Sequence, residues 1–477
     1  MFDRNKIRKI VLVNPPMNIE EVYGKFSELG GASPPTGLCY LAGYLRDFGY
    51  DVSIIDGEAL RLSCHDTVSK ILTEQPDFVG LSCKTLWVTN AGKIAKLIKE
   101  KNRDIIVSAG GHHVTSLPKQ SLQEFSGFDS IIIGEGEITL LEYINTINEN
   151  SDYSSVQSLA YRDGADIKVN SRREETIDIN KLHKPAFDLL PDLATHYNPS
   201  IINVKSLPAF PLITSRGCPF QCAFCDRNVF GNTTRIPSAE YTFSIVEELY
   251  YKYGIHNLLF DDDNIMINKT IFLKLMNFIK ESDMKLSFSC QARVNSIDED
   301  SLKILKESGC WQLMFGIESG SQKMLKAMKK GTKLHQIENA VSMCRKIGIK
   351  TLGMFIFGYP GETIETLQET EMFIRKLKLD DLASFFFTPL PGSDVYDDIE
   401  KYGKYEKQWN KGNSLDHALF IPDGLDEKTL KKFVNLCNNA CYSNLRQLIR
   451  IPTRFTSLTH TKAFLQSIPK LMFSSHN

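Results

Sequence analysis

Three cysteines stand close together in the stretch Ser215-Arg216-Gly217-Cys218-Pro219-Phe220-Gln221-Cys222-Ala223-Phe224-Cys225. Thiolates at this spacing can wrap one metal centre from a single loop. A four-iron cluster and a closed zinc site each normally take four protein ligands, so three leave one coordination position without a protein donor. Zinc could complete its shell with a histidine, but His196 and His256 lie far along the chain on either side and form no paired motif. The other cysteines among the 11 are scattered, which suits reduced thiols and core fillers rather than a disulfide framework. Cys437 and Cys441 sit four apart on a predicted helix face; core packing is the expected use and an auxiliary metal the alternative.

The loop must be carried by something, and the periodicity says what. From Leu212 to about Pro391, strands at Leu212 to Thr214, Asn257 to Phe260, Leu286 to Gln291, Gln312 to Gly316, Thr351 to Gly358 and Ala383 to Thr388 alternate with helical stretches such as Lys269 to Glu281 and Lys333 to Lys346. Six strand-helix units predict an open partial (β/α)6 TIM-type barrel, with the cysteines at its mouth after the first strand. An earlier alternating series runs from Ile10 to about Ile147, with strands at Ile10 to Val13, Val52 to Ile55, Phe78 to Ser82, Asp104 to Ala109 and Ser130 to Ile133. That pattern predicts a Rossmann-like, doubly wound parallel sheet of about five strands. The chain therefore divides as 1–150, a polar connector over 151–203, the barrel over 204–400 and a helical region over 401–477.

Composition excludes several classes. With 56 Lys+Arg against 57 Asp+Glu in 477 residues, a net charge of −1 gives no electrostatic footprint for nucleic acid. At 42% hydrophobic and 24% charged the chain is globular rather than disordered. No apolar stretch approaches the roughly 20 residues of a membrane span, and the basic Arg4, Lys6, Arg8 and Lys9 lead only into a strand-sized run, so no membrane span and a cytoplasmic location are expected. Lys329, Lys330, Thr332 and Lys333 read as a solvated face, and Tyr402, Tyr405 and Trp409 as half-buried packing.

The C-x3-C-x2-C loop, with an aromatic Phe224 before its last cysteine, resembles the signature of radical S-adenosylmethionine (SAM) enzymes. The resemblance extends through Phe260-Asp261-Asp262-Asp263-Asn264, Gln291-Ala292-Arg293, Gly316-Ile317-Glu318-Ser319-Gly320-Ser321, Phe357-Gly358-Tyr359-Pro360-Gly361-Glu362-Thr363 and Pro389-Leu390-Pro391-Gly392-Ser393. It implies that Cys218, Cys222 and Cys225 hold a 4Fe-4S cluster whose open iron takes the amino and carboxylate groups of SAM. It further implies SAM contacts from Phe224, Arg293, Glu318 and Gly358: Arg293 toward the carboxylate, Glu318 toward the amino group or ribose, and glycine backbone against the nucleoside. An external one-electron reductant such as flavodoxin or ferredoxin is implied as well.

The first series resembles the cobalamin-binding domain fused to one large radical SAM subgroup, through Val13-Asn14-Pro15-Pro16, Ser33-Pro34-Pro35-Thr36-Gly37-Leu38, Gly110-Gly111-His112-His113-Val114-Thr115 and Gly134-Glu135-Gly136-Glu137. The implied cobalamin contacts are Ser82 and Thr85 toward the nucleotide tail, Gly110 and Gly111 toward the corrin, and Gly134 and Glu135. Where histidine-ligating cobalamin proteins have Asp-x-His-x-x-Gly, this chain reads Asn14-Pro15-Pro16-Met17-Asn18-Ile19, so cobalt would lack a histidine ligand here. His112 and His113 border the tail channel in the family pattern. The function implied is methylation of an unactivated carbon of a small molecule, less often of phosphorus, through methylcobalamin and a 5'-deoxyadenosyl radical. Oxidative cyclisation or rearrangement with the same cofactors is the alternative, and a corrinoid-binding or redox-sensing iron–sulfur protein is a reading of another class.

Overall fold

The computed structural model describes residues 6–17, 31–197, 199–200, 202–409 and 417–442. Strands β1 (Lys9–Asn14), β2 (Asp51–Asp56), β3 (Phe78–Ser82), β4 (Ile106–Gly110), β5 (Ser130–Ile132), β6 (Leu159–Asp163) and β7 (Asp166–Val169) form one sheet in the order 2-1-3-4-5-6-7. The first five are parallel. Their continuous Ile and Val runs are buried on both faces, as helices covering a parallel sheet require. Strand order reverses between β1 and β3, which opens a crevice beyond their carboxyl ends.

β6 and β7 are antiparallel and extend the sheet from within the segment expected to be a connector. Leu159, Ala160 and Tyr161 are buried against β5, whereas β7 is mostly exposed and carries Asp166 and Lys168. A charged edge strand is polar by necessity, because an apolar edge would invite pairing with another chain. That polarity made the hairpin look like a linker.

The second sheet comprises β8 (Ala209–Leu212), β9 (Asn257–Phe260), β10 (Ser287–Ala292), β11 (Cys310–Glu318), β12 (Lys350–Phe357) and β13 (Asp381–Phe386), in consecutive order. All neighbours are parallel, and the sheet curls into a half-barrel with helices outside. β8 begins and ends earlier than the sequence pattern predicts. Its Pro211 is tolerated because β8 is an edge strand, and Thr214 leaves the ladder to donate its N–H to the Asp262 carboxylate at 2.9 Å.

The region expected to be helical after residue 401 is only partly so. β14 (Gly403–Tyr405) pairs antiparallel with β15 (Phe420–Pro422), and a helix follows over Glu427–Tyr442. Cys437 and Cys441 are buried on that helix as core residues. The rest of the expected helical tail, and Asn18 and Ile19 of the cobalt-ligand stretch, lie outside the described residues.

One apolar core runs through both sheets. Phe187, Tyr197 and Phe210 bridge it, with ring centroids 5.1 Å apart for Phe187 and Phe210 and 6.4 Å for Tyr197 and Phe210. The Tyr197 hydroxyl donates to buried Asp56 at 2.7 Å, tying the segment before the barrel to the end of β2. Among the described residues no helix is long and apolar enough to cross a membrane.

Candidate cofactor site

The cysteine loop leaves the end of β8 and is closed at its base. Arg216 and Arg235 exchange two backbone hydrogen bonds of 2.9 and 2.8 Å, so one loop carries all three thiols. Gly217 fits this neck only as glycine: its φ is +81° and a Cβ would lie 2.3 Å from the Thr233 carbonyl oxygen. The Ala223 N–H donates to the Met328 carbonyl at 3.0 Å, which pins the loop to the barrel. Cys218, Cys222 and Cys225 are partly to fully buried. Burial raises the Cys225 thiol to about 12 and also raises Cys218, and in both cases the negative charge of neighbouring Asp263 and Cys222 adds to the effect. Among the described residues no set of three ligating side chains is already closed to metal geometry. The donor set is the soft one an iron–sulfur cluster takes.

Around this loop the barrel mouth is polar and incompletely satisfied. Arg293, at the end of β10, lays its guanidinium over the Phe220 ring at 3.8 Å. It points Nη1 at the Cys222 sulfur, 3.7 Å away, and donates from Nη2 to the Lys330 carbonyl. Its Nε is buried without a partner, as are the Ser321 and Thr332 hydroxyls, all within the described residues. Buried donors are rarely left unmade, so this constellation fits a polar ligand such as the amino-acid end of SAM.

Glu318 ends β11 with φ +67°, at a bulge where the register with β12 shifts. That turn presents its carboxylate to Lys330 Nζ at 2.7 Å, with both side chains about 10% exposed. Gly316 makes room, since a Cβ there would lie 2.5 Å from the Glu318 carboxylate and 2.9 Å from Lys330 Nζ. Lys330 and Thr332 are thus buried, contrary to the solvated face expected of them; only Lys329 and Lys333 remain outward. Charge repetition in sequence reads as surface, and a buried carboxylate opposite is invisible without the fold.

Phe224 packs against an apolar cluster that includes Tyr359, Phe387 and Phe420. Gly358, φ +83°, follows the end of β12 and donates its N–H to Glu362, which is fully buried; burial raises that carboxyl to about 8. Asp262 lies in the floor of the mouth. It accepts from the Thr214 hydroxyl at 3.0 Å and the Ser215 hydroxyl at 2.5 Å, and burial raises it to about 6. The Asp261-Asp262-Asp263 run was the signal for this anchor.

On the N-terminal side, Ser82 ends β3 in register with Gly110 at the end of β4, and Thr85 follows in the half-buried loop. A Cβ on Gly110 would meet only Ile132 at 3.9 Å, which leaves open space over the strand end. Gly111 differs: with φ +108° its Cβ position lies 3.1 Å from the Cys83 backbone, so its bareness serves chain packing. Gly134, φ +77°, abuts Arg172 and the Val229 carbonyl at 3.5 Å, at the seam between the domains.

Glu135 is held by the barrel's cysteine loop. It pairs with Arg216 at 2.8 Å and with Arg235, while Glu137 pairs with Arg216 at 2.6 Å. Glu135, expected to contact cobalamin, thus also forms an interdomain ion pair. A polar nest lies at the carboxyl ends of β1 and β2: Asn14 donates to Asp56 at 2.9 Å and to Glu58 at 3.3 Å, and burial raises the Glu58 carboxyl. His113 is buried edge-on to Trp409 at 5.0 Å, and burial lowers it to about 4, so it stays neutral. Trp409 is itself buried, whereas Tyr402 is exposed.

Two family models divide the chain at this seam. Residues 26–144 match the B12 binding domain and residues 212–374 the radical SAM superfamily. The uncharacterized methyltransferase PH0819 of Pyrococcus horikoshii is 32% identical over 430 residues, covering 89% of this chain and 91% of that protein. This chain belongs to the B12-binding radical SAM enzymes. The anaerobic magnesium-protoporphyrin IX monomethyl ester cyclase of Rubrivivax gelatinosus is 29% identical over 379 residues, covering 78% of this B12-binding radical SAM chain and 67% of the cyclase. In fold, the enzyme is similar to the radical SAM methyltransferase TsrM of Kitasatospora setae, with a TM-score of 0.70 at 17% identity over 92% of this chain and 89% of that one. The order of domains and the half-barrel agree with that likeness.

Proposed function

We propose that this enzyme transfers a methyl group to an unactivated carbon of a small molecule, with Cys218, Cys222 and Cys225 holding a 4Fe-4S cluster and the carboxyl edge of the first sheet holding cobalamin. The observation that carries it is the pairing of an open three-thiol loop with that edge across one seam, joined by Arg216 and Glu135. When bound, the cluster with SAM supplies a carbon-centred radical that takes hydrogen, and cobalamin supplies the methyl group.

The chain's own residues bind, orient and exclude water. Arg293, braced on Phe220, offers its unpaired Nε to a carboxylate. The Glu318 carboxylate, neutralised by Lys330, remains an acceptor for an ammonium or ribose hydroxyl without adding net charge to the mouth. Gly358 brings bare backbone to the end of β12, and Phe224 with Tyr359, Phe387 and Phe420 forms an apolar wall that keeps solvent from the mouth. On the other side the open strand end at Gly110 and the half-buried Ser82 and Thr85 would face the corrin and its tail. The electron is supplied by an external one-electron reductant such as flavodoxin or ferredoxin.

The likeness to the cyclase favours a second reading, in which the same cofactors drive an oxidative cyclisation. Air-free reconstitution with iron, sulfide and cobalamin, followed by mass spectrometry against candidate substrates, separates the two. Methyl transfer produces S-adenosylhomocysteine and 5'-deoxyadenosine together with a methylated product. Deoxyadenosine formed with a substrate that gains no methyl group would reject the first reading in favour of the second.

A further inference from the structure

The four-residue ion network at the domain seam has no part in binding SAM or carrying the reaction, yet it is built at the base of the cysteine loop. Arg216 lies two residues before Cys218, and its backbone bridge to Arg235 is the neck that closes the loop. Both guanidiniums converge on Glu135, with Arg235 Nη1 donating to it at 3.1 Å and Arg216 Nη1 at 2.8 Å, and Arg216 Nη2 reaches Glu137 at 2.6 Å. The side chains are between 5% and 17% exposed. The Arg216 guanidinium also lies over the rings of Tyr40 and Phe230, at 5.1 and 5.5 Å. Past the last cysteine, the neighbouring Asp226 accepts from Ser116 of the N-terminal domain at 3.4 Å, and Asn228 donates to the same hydroxyl at 3.0 Å.

Adhesion alone does not explain this arrangement. The two domains already share an apolar core through Phe187 and Phe210, and buried ion pairs are a poor substitute for such a core. What a guanidinium fork adds is geometry, because it donates to a carboxylate in few orientations. Both acceptors follow closely on the end of β5, Glu135 in the loop and Glu137 as the first residue of the helix Glu137–Asn148, so whatever orders that strand edge also orders the neck.

We propose that Glu135 and Glu137 are positioning residues that hold the neck of the cysteine loop shut from the cobalamin side, so that occupancy of the N-terminal domain by cobalamin slows loss of iron from the three cysteines. The proposal rests on the assignment of the two cofactors made above. By linkage the effect is reciprocal: an iron-loaded loop binds cobalamin more tightly than an empty one.

The test uses the full chain loaded with iron and sulfide without air, and follows the rate at which a ferrous chelator removes the iron, with and without hydroxocobalamin. In the unmodified protein cobalamin slows removal about tenfold. In Glu137→Gln, and in the paired variant Arg216→Met with Glu137→Gln, the ratio falls below about twofold; the paired variant removes both partners of that bond and so guards against a folding defect from one lone buried charge. Arg216→Lys keeps the charge without the fork and gives an intermediate ratio. Because the readout is a ratio within each variant, a general loss of stability does not move it. Equal ratios in the unmodified protein and the variants, or no slowing in the unmodified protein when iron and corrin are both bound, would overturn the proposal. Absence of bound iron or corrin in the stoichiometries would instead overturn the cofactor assignment, and this proposal with it.

Discussion

Glu318 and Lys330 show how a single residue pair shapes the site. Both lie out of water at 2.7 Å, so removing one strands the other. Lys330→Met is expected to lower stability by about 3 kcal/mol in denaturant titration, and the paired variant with Glu318→Gln to recover most of that loss, since no buried charge remains. Glu362 gives a pH signature of its own. Burial raises its folded value to about 8 from an ordinary 4.5, so between those limits the folded state holds more protons than the unfolded one. Its contribution is full below pH 4.5 and fades as pH rises toward 8. Glu362→Gln, neutral throughout, should flatten the fall in urea midpoint across that window. It should also be the more stable protein above pH 8 by roughly 2 kcal/mol.

At the scale of elements, strand ends position the chemistry, and the loops leaving them depend on backbone that only particular residues allow. Gly217 is the sharpest case: φ +81° and a Thr233 carbonyl 2.3 Å from its Cβ position leave no room for a side chain. Gly217→Ala is expected to open the neck of the cysteine loop. Iron per chain after reconstitution should drop severalfold while cobalamin binding persists, as read by metal and corrin quantification. Equal losses of both would place the damage in the whole fold instead. Asp262 acts on the same loop from below, replacing the ladder partner that Thr214 gives up when β8 ends.

The whole molecule behaves as one body because its core crosses the domain boundary. Phe187, Tyr197 and Phe210 pack between the two sheets, and Tyr197 bonds Asp56 at the end of β2. A single cooperative unfolding transition is therefore expected from both far-ultraviolet dichroism and tryptophan fluorescence. Tyr197→Phe should lower the midpoint by an amount equivalent to about 1.5 kcal/mol, since the Asp56 carboxylate loses a buried donor. Two separated transitions in the unmodified chain would contradict the continuous core. Trp409 adds a second crossing, lying in the apolar cluster of the first sheet although it follows the barrel in sequence.

Local pattern alone determined the strand and helix alternation of both domains, the open half-barrel and the delivery of three thiols from one loop, because periodicity and spacing are properties of neighbouring residues. The β6–β7 hairpin escaped that reading, since an edge strand must be polar. Glu135 was legible as part of a Gly-Glu-Gly-Glu run, yet its partners Arg216 and Arg235 lie some eighty to a hundred positions away, and only folding brings them together. Lys330 looked like surface for the same reason: burial and charge compensation depend on what packs opposite. Tertiary structure alone decided which acids and bases meet, and it joined the cysteine loop to the edge of the first sheet.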